Sequence, residues 1–202
     1  MKNNYIIIGD SIIYGVGGYE HNGWVSMLKN KLLNAEGTKE STNFVHCVGF
    51  PGATSKDIVE KFNSIVDTYY SSDMNNTFII AVGINDTQVF NGSCKSTIDE
   101  YRDNIVKMIN ILKKKDNCKI IFIGLTRIED ISKPLCFKPS KFYDYKIILE
   151  YDNCLSEICK SENIEYVSMI DVLDSNDFVD GLHPNDSGYS KMYEKVLSVL
   201  DY

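Results

Sequence analysis

Five short apolar runs, at residues 5–8, 44–48, 78–82, 120–125 and 164–168, alternate with longer stretches in which apolar positions recur at steps of three and four. This is the pattern of successive strand–helix–strand units, and it predicts a parallel sheet covered by helices on both faces. The clearest helix carries Ile98, Tyr101, Ile105, Met108 and Leu112, with Thr97 and Glu100 spaced as a capping box. A last helix carries Tyr189, Met192, Tyr193, Val196 and Leu200 and is entered through Asn185-Asp186, either of which can cap it. Residues 24–36, 55–70 and 140–162 read as further helices. The longest irregular stretch, "TRIEDISKPLCFKP" at 126–139, follows the fourth strand, and connections of that length are more often functional than idle.

No repeat, low-complexity tract or Pro/Gly-rich linker divides the chain, and the prolines at 51, 134, 139 and 184 fall in connections. With 202 residues and a hydrophobic content of 44%, one domain spanning 1–202 is expected. No run approaches the roughly 18 consecutive apolar residues of a membrane span, and "MKNNYIIIGDS" has neither the apolar region nor the cleavage site of a secretory signal, so a cytoplasmic protein is expected. Cys47, Cys94, Cys118, Cys136, Cys154 and Cys159 form no C-x-x-C pair, which points away from zinc and redox motifs and toward reduced structural thiols. The net charge of -7, with Lys113–Lys115 the one basic triplet, disfavours nucleic acid and anionic membranes as partners.

In an open parallel sheet every strand's carboxyl end faces the same crevice, so the residues that follow the strands are presented together. Strand one ends in Gly9-Asp10-Ser11, strand two leads into Val48-Gly49-Phe50-Pro51-Gly52-Ala53-Thr54, and strand three ends in Gly83-Ile84-Asn85-Asp86. After strand five comes "DFVDGLHPND", with Asp180 and His183. Each piece alone has a plain structural explanation. Ser11 suits a turn or a helix N-cap, Asn85 a turn, Gly52 an unusual backbone angle and His183 an ordinary loop. His21, in "YEHNGW", reads as a surface residue and His46 as packed in the second strand.

Together they form the equipment of nucleophilic acyl transfer. A serine hydroxyl needs an imidazole to take its proton, and the imidazole needs a carboxylate to fix its tautomer and orientation. Ser11, His183 and Asp180 suit those roles, and the three-residue spacing of Asp180 and His183 lets local chain geometry pair them. Three donors can converge on an oxyanion: the backbone N–H groups of Ser11 and Gly52 and the side-chain amide of Asn85.

Gly9-Asp10-Ser11, Gly52, Gly83-x-Asn85-Asp86 and Asp180-x-x-His183-Pro184 resemble, in order, the four blocks of the SGNH hydrolases, also called the GDSL-type lipase and esterase family. The resemblance spans residues 9–184, and its specificity lies in the ordered set. It implies a flavodoxin-like three-layer α/β/α sandwich with a five-stranded parallel sheet in the order 2-1-3-4-5, strands one and three flanking the topological switch point. By the same resemblance Ser11 is the nucleophile, His183 the general base, Asp180 its orienting acid, and Gly52 and Asn85 oxyanion donors, while Asp10 braces the turn. The second block departs from the N-x-G-x-x-G common in relatives, with Cys47 at the asparagine position; both glycines remain, so the oxyanion hole is expected to form.

The function expected is hydrolysis of a small carboxylic ester (short acyl, aryl or acetylated sugar) through an acyl-serine, with no metal or cofactor. The same residues would serve an acyltransferase. A nucleotide- or flavin-binding protein would use the same switch point, but "GVGGYEHNG" is not G-x-G-x-x-G and no G-x-x-x-x-G-K-[ST] occurs. The pocket wall is expected from Tyr14, Tyr19, Val89, Phe90 and the segment from Thr126 to Phe142.

Overall fold

The strand β1 (Lys2–Gly9) lies at the heart of the sheet, and Ile6, Ile7 and Ile8 are fully buried. A strand covered on both faces gains by being apolar throughout, which is why this one reads as a run and does not alternate. In the computed structural model, which describes residues 2–20, 22–34, 42–138 and 141–200, β1 pairs in parallel with β2 (Thr42–Gly49) and with β3 (Asn75–Ala81). The strands β6 (Cys118–Ile123) and β9 (Glu165–Val167) complete an all-parallel sheet in the order β2-β1-β3-β6-β9. Among the parallel strands this is the expected order 2-1-3-4-5.

Helices α1 (Ser11–Tyr14), α2 (Trp24–Asn34) and α6 (Asp186–Leu197) pack together, as do α3 (Ser55–Tyr69), α4 (Ile98–Leu112) and α5 (Tyr145–Glu162). The two groups cover the two faces of the sheet, giving three layers. The capping box of α4 is in place, Thr97 accepting from the Glu100 N–H while Glu100 accepts from the Thr97 N–H. A second box, Thr54 with Asp57, starts α3 directly after the Gly52 loop. Of the two residues able to cap α6, Asn185 does so, its side chain accepting from the Gly188 N–H at 3.0 Å.

The structure adds a second sheet, antiparallel, in the order β5-β4-β8-β7, made of β4 (Val89–Phe90), β5 (Ser93–Cys94), β7 (Leu135–Lys138) and β8 (Lys141–Tyr143). It corrects two expectations. The stretch 126–139 is not irregular throughout, since it ends in β7. The helix expected from 140 begins at Tyr145, because Asp144, whose carboxylate accepts from the Lys146 N–H at 2.8 Å, is the residue able to cap it, while Lys141-Phe142-Tyr143 pairs with β4 and β7. The helix expected over 24–36 is described to Asn34. Residues 35 and 36 lie outside the described residues, as does His21.

Candidate active site

Ser11 sits where β1 turns into α1. Gly9 allows that turn to hug the sheet, because a Cβ there would stand 2.1 Å from the Ala81 carbonyl oxygen and 2.5 Å from Ile13 of α1. Asp10 is the N-cap, accepting from the Ile12 N–H at 2.9 Å, so the Ser11 hydroxyl is not spent on capping. Burial pushes the Asp10 carboxyl up to about 7, the Ile12 N–H acting against that and the Asp86 carboxylate adding to it.

The Ser11 Oγ lies 3.0 Å from His183 Nε2, and His183 Nδ1 lies 2.7 Å from Asp180 Oδ2. The carboxylate can only accept, so Nδ1 carries the proton and Nε2 is left to accept from the serine hydroxyl. Asp180 Oδ1 also accepts from the backbone N–H groups of Leu182 and His183, at 3.1 and 2.9 Å. Burial opposes the charge of Asp180, but these hydrogen bonds outweigh it and hold the carboxyl below its ordinary value. The loop is tied at its base: Asn185 N–H donates to the Asp177 carbonyl, and the buried Asp177 carboxylate meets the Lys191 ammonium at 2.6 Å.

Asn85 lies in the turn after β3, anchored by its neighbour. The fully buried Asp86 accepts from the Ser55 N–H at 2.8 Å, the Ser55 hydroxyl at 2.6 Å and the Ser96 hydroxyl at 2.7 Å. Asn85 Nδ2 donates to the Ala53 carbonyl at 3.1 Å and stands 3.5 Å from Asp10 Oδ2, while its Oδ1 accepts from the Tyr143 hydroxyl at 3.3 Å. The opposite amide orientation would set oxygen against oxygen at Ala53 and Asp10, so these partners fix the nitrogen on that side. The Tyr143 hydroxyl accepts in turn from Gln88 Nε2 at 2.5 Å. Gly52 has φ +80, a left-handed conformation, and a Cβ built on it would find nothing within 4 Å. Among the described residues the N–H groups of Ser11 and Gly52 donate to no protein group.

Ser11, Gly52, Asn85 and His183 thus line one open pocket of about 310 Å³. Its remaining wall differs from expectation. Tyr14 and Tyr19 are 62% and 80% exposed away from it, Val89 is buried in the protein, and Phe90 does not reach it. Among the described residues of 126–142, only Phe137 and Lys141 contribute. Gln88, Lys95 and Tyr143, which sequence reading missed, complete the polar side, while Val16 and Leu182 add apolar surface. β8 puts Lys141 and Tyr143 on one face and Phe142 on the other, but three residues are too few for that alternation to signal a strand in the sequence. The Cys47 thiol donates to the Ile13 carbonyl at 3.4 Å, tying β2 to α1, and burial pushes its pKa up. His46 stacks on Tyr69 with ring centroids 4.7 Å apart.

Comparison with solved structures finds the same fold. A member of the lipolytic protein G-D-S-L family from Veillonella parvula matches with a TM-score of 0.72 at 19% identity, over 99% of this chain and 98% of that one. A variant of an acetyl xylan esterase from Geobacillus stearothermophilus matches at 0.73 and 18%, over 98% and 93%. A lipase/acylhydrolase from Enterococcus faecalis matches at 0.71 and 21%, over 98% and 94%. No match is found among curated proteins. No helix among the described residues is long and apolar enough to cross a membrane. The model of the GDSL-like lipase/acylhydrolase family matches residues 7–191, nearly the whole chain, and the protein therefore belongs to that family of carboxylic ester hydrolases.

Proposed function

We propose that the protein cleaves small carboxylic esters through an acyl-serine at Ser11, with His183 as general base and acid and Asp180 as its orienting carboxylate. The observation that carries this reading is the unbroken contact Ser11 Oγ, His183 Nε2, His183 Nδ1, Asp180 Oδ2 at 3.0 and 2.7 Å, in a pocket open to solvent. Oγ attacks the ester carbonyl carbon as its proton passes to Nε2. The oxyanion that forms is held by the N–H groups of Ser11 and Gly52 and by the Asn85 amide, whose bond to Ala53 occupies one hydrogen and whose second is engaged only by the long contact to Asp10. The tetrahedral intermediate collapses, Nε2–H protonates the departing alkoxide, and the alcohol leaves. Water then attacks the acyl-serine by the same path, its proton going to Nε2 and on to Ser11 Oγ as the carboxylic acid departs.

The pocket suits short acyl, aryl or acetylated sugar esters, and acetyl esters are the natural first substrates. The test is turnover of phenyl acetate and acetylated xylose by wild type and Ser11→Ala, with mass spectrometry of the wild-type protein after rapid quench. Ser11→Ala should lose activity by a factor on the order of 10⁶, and wild type should show an acyl adduct on Ser11. Retained turnover by a pure Ser11→Ala protein, or an adduct on another residue, overturns the assignment.

A further inference from the structure

The chain carries a net charge of -7, yet two lysines, Lys95 and Lys141, line the pocket that contains Ser11 and His183, Lys95 also bordering a neighbouring pocket with Glu60, Glu100 and Asp103. Their convergence follows from the small sheet. Lys141 pairs with Phe90 in the β8–β4 ladder, and strand alternation sets it on the same face as Tyr143. Lys95 follows β5, and its N–H donates to the Gln88 carbonyl at 3.0 Å, beside the side chain that supports Tyr143.

Neither lysine forms an ion pair among the described residues, although carboxylates are near Lys95. Those carboxylates are otherwise engaged. Asp86 is buried on Ser55 and Ser96, and Asp57 accepts from the N–H and hydroxyl of Thr54 in the α3 capping box. Burial and then the repulsion of Lys141 push the Lys95 pKa down, with Asp57 and Asp86 offsetting part of this. The two like charges share one pocket wall, and the nearby Asp57 and Asp86 offset only part of their repulsion, so a bound anion is favoured there.

We propose that Lys95 and Lys141 form an anion subsite of the ester pocket, so that preferred substrates carry a carboxylate or phosphate group in addition to the scissile ester. The subsite deepens the ester-hydrolase reading and rests on it for the position of the scissile bond. Phe137 and Leu182 in the same pocket then hold the uncharged part of the substrate, while the lysines select for its charged end.

The test uses three phenolic esters: neutral phenyl acetate, phenyl hemisuccinate with its carboxylate on the acyl side, and 4-acetoxybenzoate with its carboxylate on the alcohol side. The readout is the ratio of kcat/KM for each anionic ester to that for phenyl acetate. With at least one of the two anionic esters, Lys95→Ala and Lys141→Ala should each lower the ratio about fivefold, and the effect should shrink as salt rises. Lys160→Ala, on α5, is the control and should leave it unchanged. The ester that responds tells which side of the scissile bond the anion occupies. A ratio that stays within twofold of wild type in both variants, for both anionic esters, overturns the proposal. Calorimetry of 4-acetoxybenzoate and hemisuccinate binding to Ser11→Ala separates this from the catalytic reading. Lysine-dependent binding in a protein whose Ser11→Ala form still hydrolyses esters would sink the nucleophile and keep the subsite. Normal Ser11-dependent turnover with lysine-independent binding would do the reverse.

Discussion

Replacing Tyr143 with phenylalanine removes one hydroxyl and nothing else from a side chain that is 2% exposed and packs edge-on against Phe137 at 6.0 Å. That hydroxyl donates to Asn85 Oδ1 and accepts from Gln88 Nε2, so its loss strands two polar groups on residues 5% and 3% exposed. A buried group left without a partner costs about 1–3 kcal/mol, and access to the pocket from solvent puts the pair near the lower end, about 2–3 kcal/mol in total. The catalytic effect has a different size. Complete removal of an oxyanion donor costs about 10²–10³ in turnover. Tyr143→Phe leaves Asn85 its bond to the Ala53 carbonyl but frees the amide to swing, so kcat should fall about 10- to 100-fold, or about 1.4–2.7 kcal/mol, with KM little changed. The assay is steady-state hydrolysis of phenyl acetate by wild type, Tyr143→Phe, Asn85→Ala and the double variant, with urea unfolding of each. In the Asn85→Ala background the tyrosine substitution should cost almost nothing further, because the group it positions is gone. If the two losses multiply, or if Tyr143→Phe raises KM at constant kcat, Tyr143 does not act through Asn85.

Two further substitutions probe the same corner. The Asp10 carboxyl is raised to about 7 by burial, so between about pH 4 and 7 the folded chain holds a proton that the unfolded chain has lost. Its contribution is complete below about pH 4 and is lost as pH rises through about 7, worth at most about 4 kcal/mol over that span. Asp10→Asn keeps an acceptor for the Ile12 N–H and should flatten the fall in urea-unfolding stability between pH 5 and 8; an identical fall in wild type and variant would contradict the assignment. Gly52→Ala imposes about 1 kcal/mol of left-handed backbone strain and puts a methyl group into the open space before the donor. It should lower phenyl acetate kcat/KM at least about tenfold while shifting thermal unfolding only slightly, and unchanged activity would place the oxyanion elsewhere.

The parallel sheet was readable because its strands are covered on both faces. Tyr5–Ile8 and Phe78–Val82 had to be apolar without interruption, and α4 announced its start through Thr97 and Glu100. The residues brought together around Ser11 were readable for a related reason, since parallel strands deliver whatever follows them to one edge. The small sheet was not. Its strands are two to four residues long, too short for a period of two to separate from a helical period, and β8 runs almost directly into α5, so the sequence pattern predicts a single helix across both. Tyr14 and Tyr19 are expected in the pocket wall because they lie in the connection after strand one. Tyr14 instead lies against Gly49 of β2, because the α1 turn carries it over the second strand.

The division between the two sheets has a consequence for how the enzyme can vary. Ser11 and Asn85 follow β1 and β3, which are bonded in register with Gly9 opposite Ala81, so their separation is set by the sheet and not by loop packing. Buried carboxylates secure the supports: Asp86 holds the Asn85 turn to α3, and Asp177 holds the histidine loop to α6. The small sheet touches this machinery through the Tyr143 hydroxyl at Asn85 and through Leu135, which packs against Gly181 in the histidine loop, while Phe137 and Lys141 face the pocket. Changes at Phe137, Lys95 or Lys141 should therefore move KM and selectivity with the Ser11–His183–Asp180 geometry untouched, whereas changes at Tyr143 reach kcat. A chain built this way can alter the ester it prefers by rewriting a few pocket-facing residues of the small sheet, provided Tyr143 and Leu135 stay.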